Sequence, residues 1–255
     1  AEGVPRPVTG SRIASLQPDR KHLDIRVRVC TWNCGNAAPS GFLRDIFQAA
    51  PTNAARTQED IVVLGLQESV FNAEGGEELK TSSKAKQVLK GSVGMKSPLD
   101  EFWVDATSEA LGDGWNVVSM ATLGEMRLLV FARSAIVSAI SEIETAQEAC
   151  GIGGVVGNKG GLVVKFKVNN TSLCFISCHL AAHEGEKKAT KRNDNIREVL
   201  AGARVGPFKW MDAATQFDHT WFIGDLNYRV DLQQLDGVDR NQGQHVDEVI
   251  DKVFK

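Results

Sequence analysis

Asp225, Asn227 and Arg229 fall at alternate positions in Thr220 to Arg229, TWFIGDLNYR. An apolar run leads into them, and Gly224 allows a close backbone turn. In an extended exit, residues two apart face the same way, so Asp225 and Asn227 would share a side. Asp225 has the chemistry to orient or deprotonate a water. Asn227 can donate to charge developing on a phosphoryl oxygen, and Arg229 suits an anionic substrate. The same residue types also build ordinary strand-to-loop turns.

Three further strands end in polar groups. RVRVCTWNCGN, Arg26 to Asn36, alternates and delivers Asn33 and Asn36. IVVLGLQE, Ile61 to Glu68, is continuously apolar and delivers Gln67 and Glu68. LCFISCHL, Leu173 to Leu180, delivers His179. Functional groups carried on the ends of a packed scaffold are a common way to build an active site.

TWNCGN, GLQE, GIGGVVGNKGG, SCHLAAH…RNDN and FIGDLNYR, in this order, resemble the motifs of the inositol polyphosphate 5-phosphatases. That family lies within the DNase I-like endonuclease/exonuclease/phosphatase group. The resemblance runs from about Ile25 to Arg229; GDLNYR and GNKGG are its specific parts, whereas WN and QE fit any member of the wider group. It implies an α/β fold, a two-sheet β-sandwich flanked by helices, with the site where strand termini meet. It further implies Mg²⁺-dependent hydrolysis of the 5-phosphate of phosphoinositides or soluble inositol polyphosphates. On this reading Glu68 and Asn33 hold the metal, and His179, Asp225 and Asn227 are catalytic. Asn158, Lys159, His183, Arg192, Asn193 and Arg229 bind substrate. A hard cation that keeps several waters needs few protein ligands.

The resemblance has one gap. The family ends in a Ser-Asp-His motif, and none of the histidines here (His22, His179, His183, His219, His245) follows a Ser-Asp pair. The expected organisation is a leader over 1–21 and a C-terminally incomplete catalytic domain over 22–255. Two alternatives stay open: a nuclease or sphingomyelinase of the same fold, and a phosphoinositide-binding fragment without turnover.

Whole-chain properties narrow the setting. The 255 residues are 42 % hydrophobic and 24 % charged, enough for a sizeable core. A net charge of -3 gives no global basic field, so nucleic acid is not expected as a partner and attraction to phosphates must be local. Lys187, Lys188, Lys191 and Arg192 supply such a patch just after His179. Contact with a membrane surface through lysine clusters is one further reading. The start, AEGVPRPVTGSR, has no apolar signal core, which suggests a cytoplasmic chain. The five cysteines read as reduced thiols, although Cys178 beside His179 also invites a zinc site.

Periodicity places the remaining elements. Helices are expected over 41–50, 77–90, 101–111, 207–217 and 245–254, and a further helix follows the basic patch. A strand pair is expected over 116–120 and 127–132, and another strand over 162–168. GIGGVVGNKGG fits neither a Walker loop nor the dinucleotide fingerprint; it reads as a flexible loop presenting Asn158 and Lys159.

Overall fold

A computed structural model describes residues 24–39, 42–48, 59–71, 97–150 and 158–229. The expected leader over 1–21 and the helices over 77–90 and 245–254 lie outside them. The elements are β1 (Val27–Asn33), α1 (Phe42–Gln48), β2 (Ile61–Gln67), α2 (Pro98–Leu111), β3 (Trp115–Leu123), β4 (Met126–Arg133), α3 (Ser134–Val137), β5 (Ile140–Ala149), β6 (Gly160–Val168), β7 (Thr171–His179), α4 (Glu186–Gly202) and β8 (His219–Asp225).

The strands form two four-stranded sheets, ordered β1-β2-β4-β3 and β5-β6-β7-β8. Each contains one parallel pair, β1 with β2 and β7 with β8; the other neighbours are antiparallel. β2 pairs on both sides and every residue of it is buried, which explains its unbroken apolar run.

The two sheets face each other across a core containing Ile61, Val63, Leu128, Val130, Leu162, Val164, Phe166 and Phe175. α1 through Leu43 and α2 through Trp103 cover the outer face of the first sheet, against Val62, Leu64 and Leu66. α4 covers the second through Val199, against Val163, Cys174, Ile176 and Cys178. The result is the expected two-sheet sandwich flanked by helices. The outer side of β1 is not simply wet. Cys30 and Trp32 pack into the α1/α2 cluster, and Arg28 donates to the Ile46 carbonyl at 2.9 Å.

Two elements differ from expectation. β5, ISEIETAQEA, is a strand that hydrophobic patterning does not reveal. It is an edge strand, and its register shifts between Ser141 and Glu144, where Glu142 takes a left-handed φ of 50°. A bulge of this kind breaks the two-residue alternation. Conversely, 207–217 forms turns rather than a helix. Asp212 Oδ1 accepts from the Ala214 amide and the Thr215 hydroxyl, both at 3.0 Å, an alternative to helical pairing. Gln216 Nε2 meets the Val205 carbonyl at 2.9 Å and ties the segment closed.

Gly224 is where β8 needs glycine. Its φ is 118°, and a Cβ there would lie 1.9 Å from the Cys178 carbonyl oxygen on β7. We expect Gly224→Ala to destabilise the fold by at least about 2 kcal/mol, from backbone strain together with overpacking. Equilibrium urea unfolding measures this, and an unchanged midpoint would refute the close approach.

Candidate active site

Inner-face residues alternate along the four strands of the two parallel pairs. β1 carries Val27, Val29, Thr31 and Asn33; β2 carries Ile61, Val63, Gly65 and Gln67. β7 carries Leu173, Phe175, Ser177 and His179; β8 carries Trp221, Ile223 and Asp225. Along each strand the series passes from core side chains to small or polar ones near its carboxyl end. Gln67 Nε2 and Ser177 Oγ are 3.4 Å apart across the sandwich, and Thr31 Oγ1 is 3.4 Å from Gln67 Oε1.

Immediately beyond this polar layer the candidate residues meet. Asn33 Nδ2 donates to Glu68 Oε1 at 3.1 Å and to Asp225 Oδ2 at 3.0 Å, joining the two sheets. His179 Nε2 lies 3.6 Å from Glu68 Oε1 and 3.5 Å from Asp225 Oδ2. Lys159 Nζ donates to the same Nε2. Two carboxylates, an amide, an ammonium and an imidazole thus converge from four strand ends and one loop.

The charges act on one another. Burial and then the Lys159 ammonium lower the His179 pKa, opposed by Asp225, Glu68 and, least, the Asn158 backbone. Burial lowers that of Lys159, opposed by Glu68 and Asp225. His179 is therefore a neutral acceptor at Nε2, which puts the proton on Nδ1. That buried nitrogen has no hydrogen-bond partner among the described residues.

The donor set suits a hard divalent cation. Glu68 and Asp225 direct oxygens at one amide hydrogen-bonding position, where positive charge is favoured. Among the described residues no three His, Cys, Asp or Glu side chains close on a single point. Mg²⁺, which keeps several waters, does not require them to. Asn33 turns its nitrogen toward the carboxylates, while its Oδ1 accepts from Gly35 N at 3.0 Å. Glu68 and Asp225 are accordingly the carboxylates available to a cation, and Asn33 in this orientation is the group that spaces them.

Other expected site residues take different positions. β8 ends at Asp225, and Asn227 adopts a left-handed φ of 54°. Asp225 Oδ1 accepts from Asn227 N at 3.0 Å, so the exit is a turn and the two side chains do not run parallel. Asn227 Nδ2 donates to the Leu180 carbonyl at 3.1 Å, tying the β7 and β8 exits together. Arg192, expected to grip phosphate, is buried instead. It donates to the Ala181 and His183 carbonyls at 3.2 and 2.9 Å, and its guanidinium lies 5.1 Å from the Tyr228 ring centroid. Asn193 Oδ1 accepts from Tyr228 Oη, and Arg229 donates to Asn227 Oδ1 at 3.0 Å. The His183 side chain is exposed in the β7 exit loop, and Asn158 is exposed beside Lys159.

Sequence reasoning missed Tyr228 and Asn195. Asn195 Oδ1 accepts from Ala181 N at 3.2 Å and braces the same loop. Its signal was an amide four residues before Val199, on the apolar side of the helix. The zinc reading of Cys178 and His179 fails on strand alternation. Cys178 packs outward against the α4 cluster while His179 faces inward, and all five cysteines are free thiols.

A two-sheet sandwich with acidic, amide and imidazole groups at its strand ends defines the DNase I-like endonuclease/exonuclease/phosphatase class. The chain belongs to Endonuclease/Exonuclease/phosphatase family 2, whose model matches residues 30–252. It is 30 % identical over 220 residues to phosphatidylinositol 3,4,5-trisphosphate 5-phosphatase 2B of Danio rerio, covering 83 % of this chain and 16 % of that protein. Type IV inositol polyphosphate 5-phosphatase 9 of Arabidopsis thaliana is 29 % identical over 225 residues, covering 83 % of this chain and 52 % of that protein. The chain thus spans about half or less of these curated relatives. A solved inositol polyphosphate 5-phosphatase domain of SPsynaptojanin, in complex with inositol (1,4)-bisphosphate and calcium ion, superposes with a TM-score of 0.57. It is 25 % identical and covers 82 % of this chain and 54 % of that one.

The Lys159–His179 contact generates a prediction. The folded His179 value lies below the unfolded one of about 6.5. Its neutral burial therefore favours the fold above that pH, and the contribution is lost as pH falls through the folded value. Lys159→Met removes a lowering charge and leaves Glu68 and Asp225 in place. We expect the His179 imidazole to titrate at higher pH in this variant by NMR; a shift downward would refute the pairing.

Proposed function

We propose that this chain hydrolyses the 5-phosphate of phosphoinositides or soluble inositol polyphosphates with Mg²⁺ as its cation. The observation that carries the reading is the convergence of Glu68 and Asp225 on Asn33, beside the Lys159–His179 pair, in a member of this family. The names of its relatives supply the substrate class.

Glu68, with Asp225 opposite, would hold the cation. A bound cation supplies positive charge against the phosphoryl oxygens and lowers the barrier to attack. Asp225 orients the attacking water and takes its proton. The water oxygen bonds to phosphorus, and the ester oxygen leaves with the bonding pair. Lys159 donates to the transferring phosphoryl oxygens once the substrate displaces its contact with His179, and His179, freed of that contact, donates beside it in the tautomer that carries its proton on Nε2. Asn227 keeps Asp225 in place through the turn it shares with it. Asn158 and Arg229 meet other phosphates of the substrate, and Arg192 shapes the loop carrying His183.

Lys187 and Lys188 are exposed at the start of α4, just beyond the β7 exit, and Tyr228 and Arg229 are exposed on the facing loop. Such a rim suits peripheral contact with anionic lipid. Among the described residues no helix is long and apolar enough to cross a membrane. The five free thiols fit a reducing, cytoplasmic compartment.

The test measures phosphate release from a soluble inositol polyphosphate, with Mg²⁺ and with EDTA, beside cleavage of a short abasic DNA duplex and direct substrate binding. Release that EDTA abolishes, with the duplex intact, is expected. Duplex cleavage would indicate a nuclease, and binding without release a non-catalytic phosphoinositide-binding fragment. Asp225→Asn should lower kcat on the order of 10²-fold with KM little changed. A rise in KM at unchanged kcat would instead assign Asp225 to binding.

A further inference from the structure

Successive residues of a strand face opposite ways. Gln67 is the last residue of β2 and faces the inter-sheet core, toward Ser177. Glu68 would then face outward, toward α2. It does not: its carboxylate meets Asn33 and approaches His179, both on the inner face. The chain achieves this at Glu68 itself, whose φ is 48°. A left-handed conformation is uncommon outside glycine and persists where the surroundings over-determine it.

Those surroundings centre on the next residue. Ser69 is fully buried, and its backbone and side-chain polar groups are all engaged. Its amide and hydroxyl donate to the Glu125 carbonyl at 3.0 and 2.8 Å. The hydroxyl accepts from Arg127 Nη1 at 2.6 Å. Its carbonyl accepts from Arg127 Nη1 at 3.0 Å and from Trp103 Nε1 at 2.9 Å. Arg127 is itself buried and paired with Asp100 at 2.8 Å. Asp100 also accepts from Thr122 at 3.2 Å and forms the capping box of α2 with Ser97. From the other side, the Asn36 amide donates to the Glu68 carbonyl at 2.7 Å.

A buried arginine–carboxylate pair contributes little net stability on average, because desolvation offsets its attraction. What this one does is fix geometry: it anchors the backbone immediately after the left-handed residue. We propose that Ser69, Arg127 and Asp100 are positioning residues that hold Glu68 in its left-handed turn and so deliver its carboxylate to the cation side of the site. The inference rests on Glu68 being a cation ligand. None of the three touches the reacting atoms.

The test is calorimetric titration of Mg²⁺ into the whole chain without substrate, with thermal melting alongside. Ser69→Ala removes the hydroxyl from the anchor without opening a large cavity. Trp103→Phe removes the other donor to the Ser69 carbonyl and keeps an aromatic ring, so it serves should Ser69→Ala fold poorly. Each should weaken Mg²⁺ binding ~5-fold, of the order of a single hydrogen bond, because the rest of the anchor remains in both variants. Folded variants that bind Mg²⁺ as the wild type does, with a lowered melting temperature only, would make the anchor purely structural and overturn the proposal. Glu68→Gln is the separate arm. It should bind Mg²⁺ more weakly than either variant, and wild-type affinity there would overturn the role of Glu68 itself.

Discussion

The site depends on two parallel strand pairs, one in each sheet, finishing at the same end of the sandwich. Parallel neighbours cannot be joined by a tight hairpin; the chain must cross back from one end of the sheet to the other. Here β1 reaches β2, and β7 reaches β8, through long crossovers, the second containing α4. Each crossover brings two carboxyl ends together. Because the pairs face each other, Asn33, Glu68, His179 and Asp225 meet although they are far apart in the chain.

Between the apolar core and these charged groups lies a transition layer. Gly65 leaves room for the opposite sheet: a Cβ there would sit 2.7 Å from Ser177 Oγ. Gln67 and Ser177 bridge the sheets with a side-chain polar contact where the core would otherwise end, and Thr31 meets Gln67 from the neighbouring strand. Buried polar groups of this kind are costly unless paired, and a paired set favours one register over its neighbours. The spacing between the Glu68 half and the Asp225 half of the site is therefore set from below by fixed contacts. The Asn33 bridge then closes it from above.

The loops around the site are braced in the same manner. Arg192 is a strong cation beside a phosphate-type site, yet it faces the carbonyls of its own β7 exit loop and the Tyr228 ring. Asn193 and Asn227 complete the link between the two exits. These residues shape the rim, which among the described residues leaves Lys159 as the cation in direct contact with the catalytic cluster.

The sequence by itself determined most of the strands and the identity of the convergent residues, because apolar runs and polar strand ends are local signals; the two-sheet sandwich came from the resemblance of its motifs to a family. Glu68, His179 and Asp225 each stand at the end of an apolar run, and Asn33 at the end of an alternating one. Tertiary structure alone decided how those side chains face. Alternation would have sent Glu68 outward, and only its left-handed turn, anchored through Ser69 to Arg127 and Asp100 from distant elements, brings it in. Arg192 and Asn227 show the same limit: their polarity was legible, but whether they meet ligand or backbone depends on which carbonyls lie near in space. β5 and the segment 207–217 escaped for a related reason, since a bulge and side-chain-capped turns override periodicity. Contacts between residues distant in sequence leave no pattern in the stretch where each of them occurs.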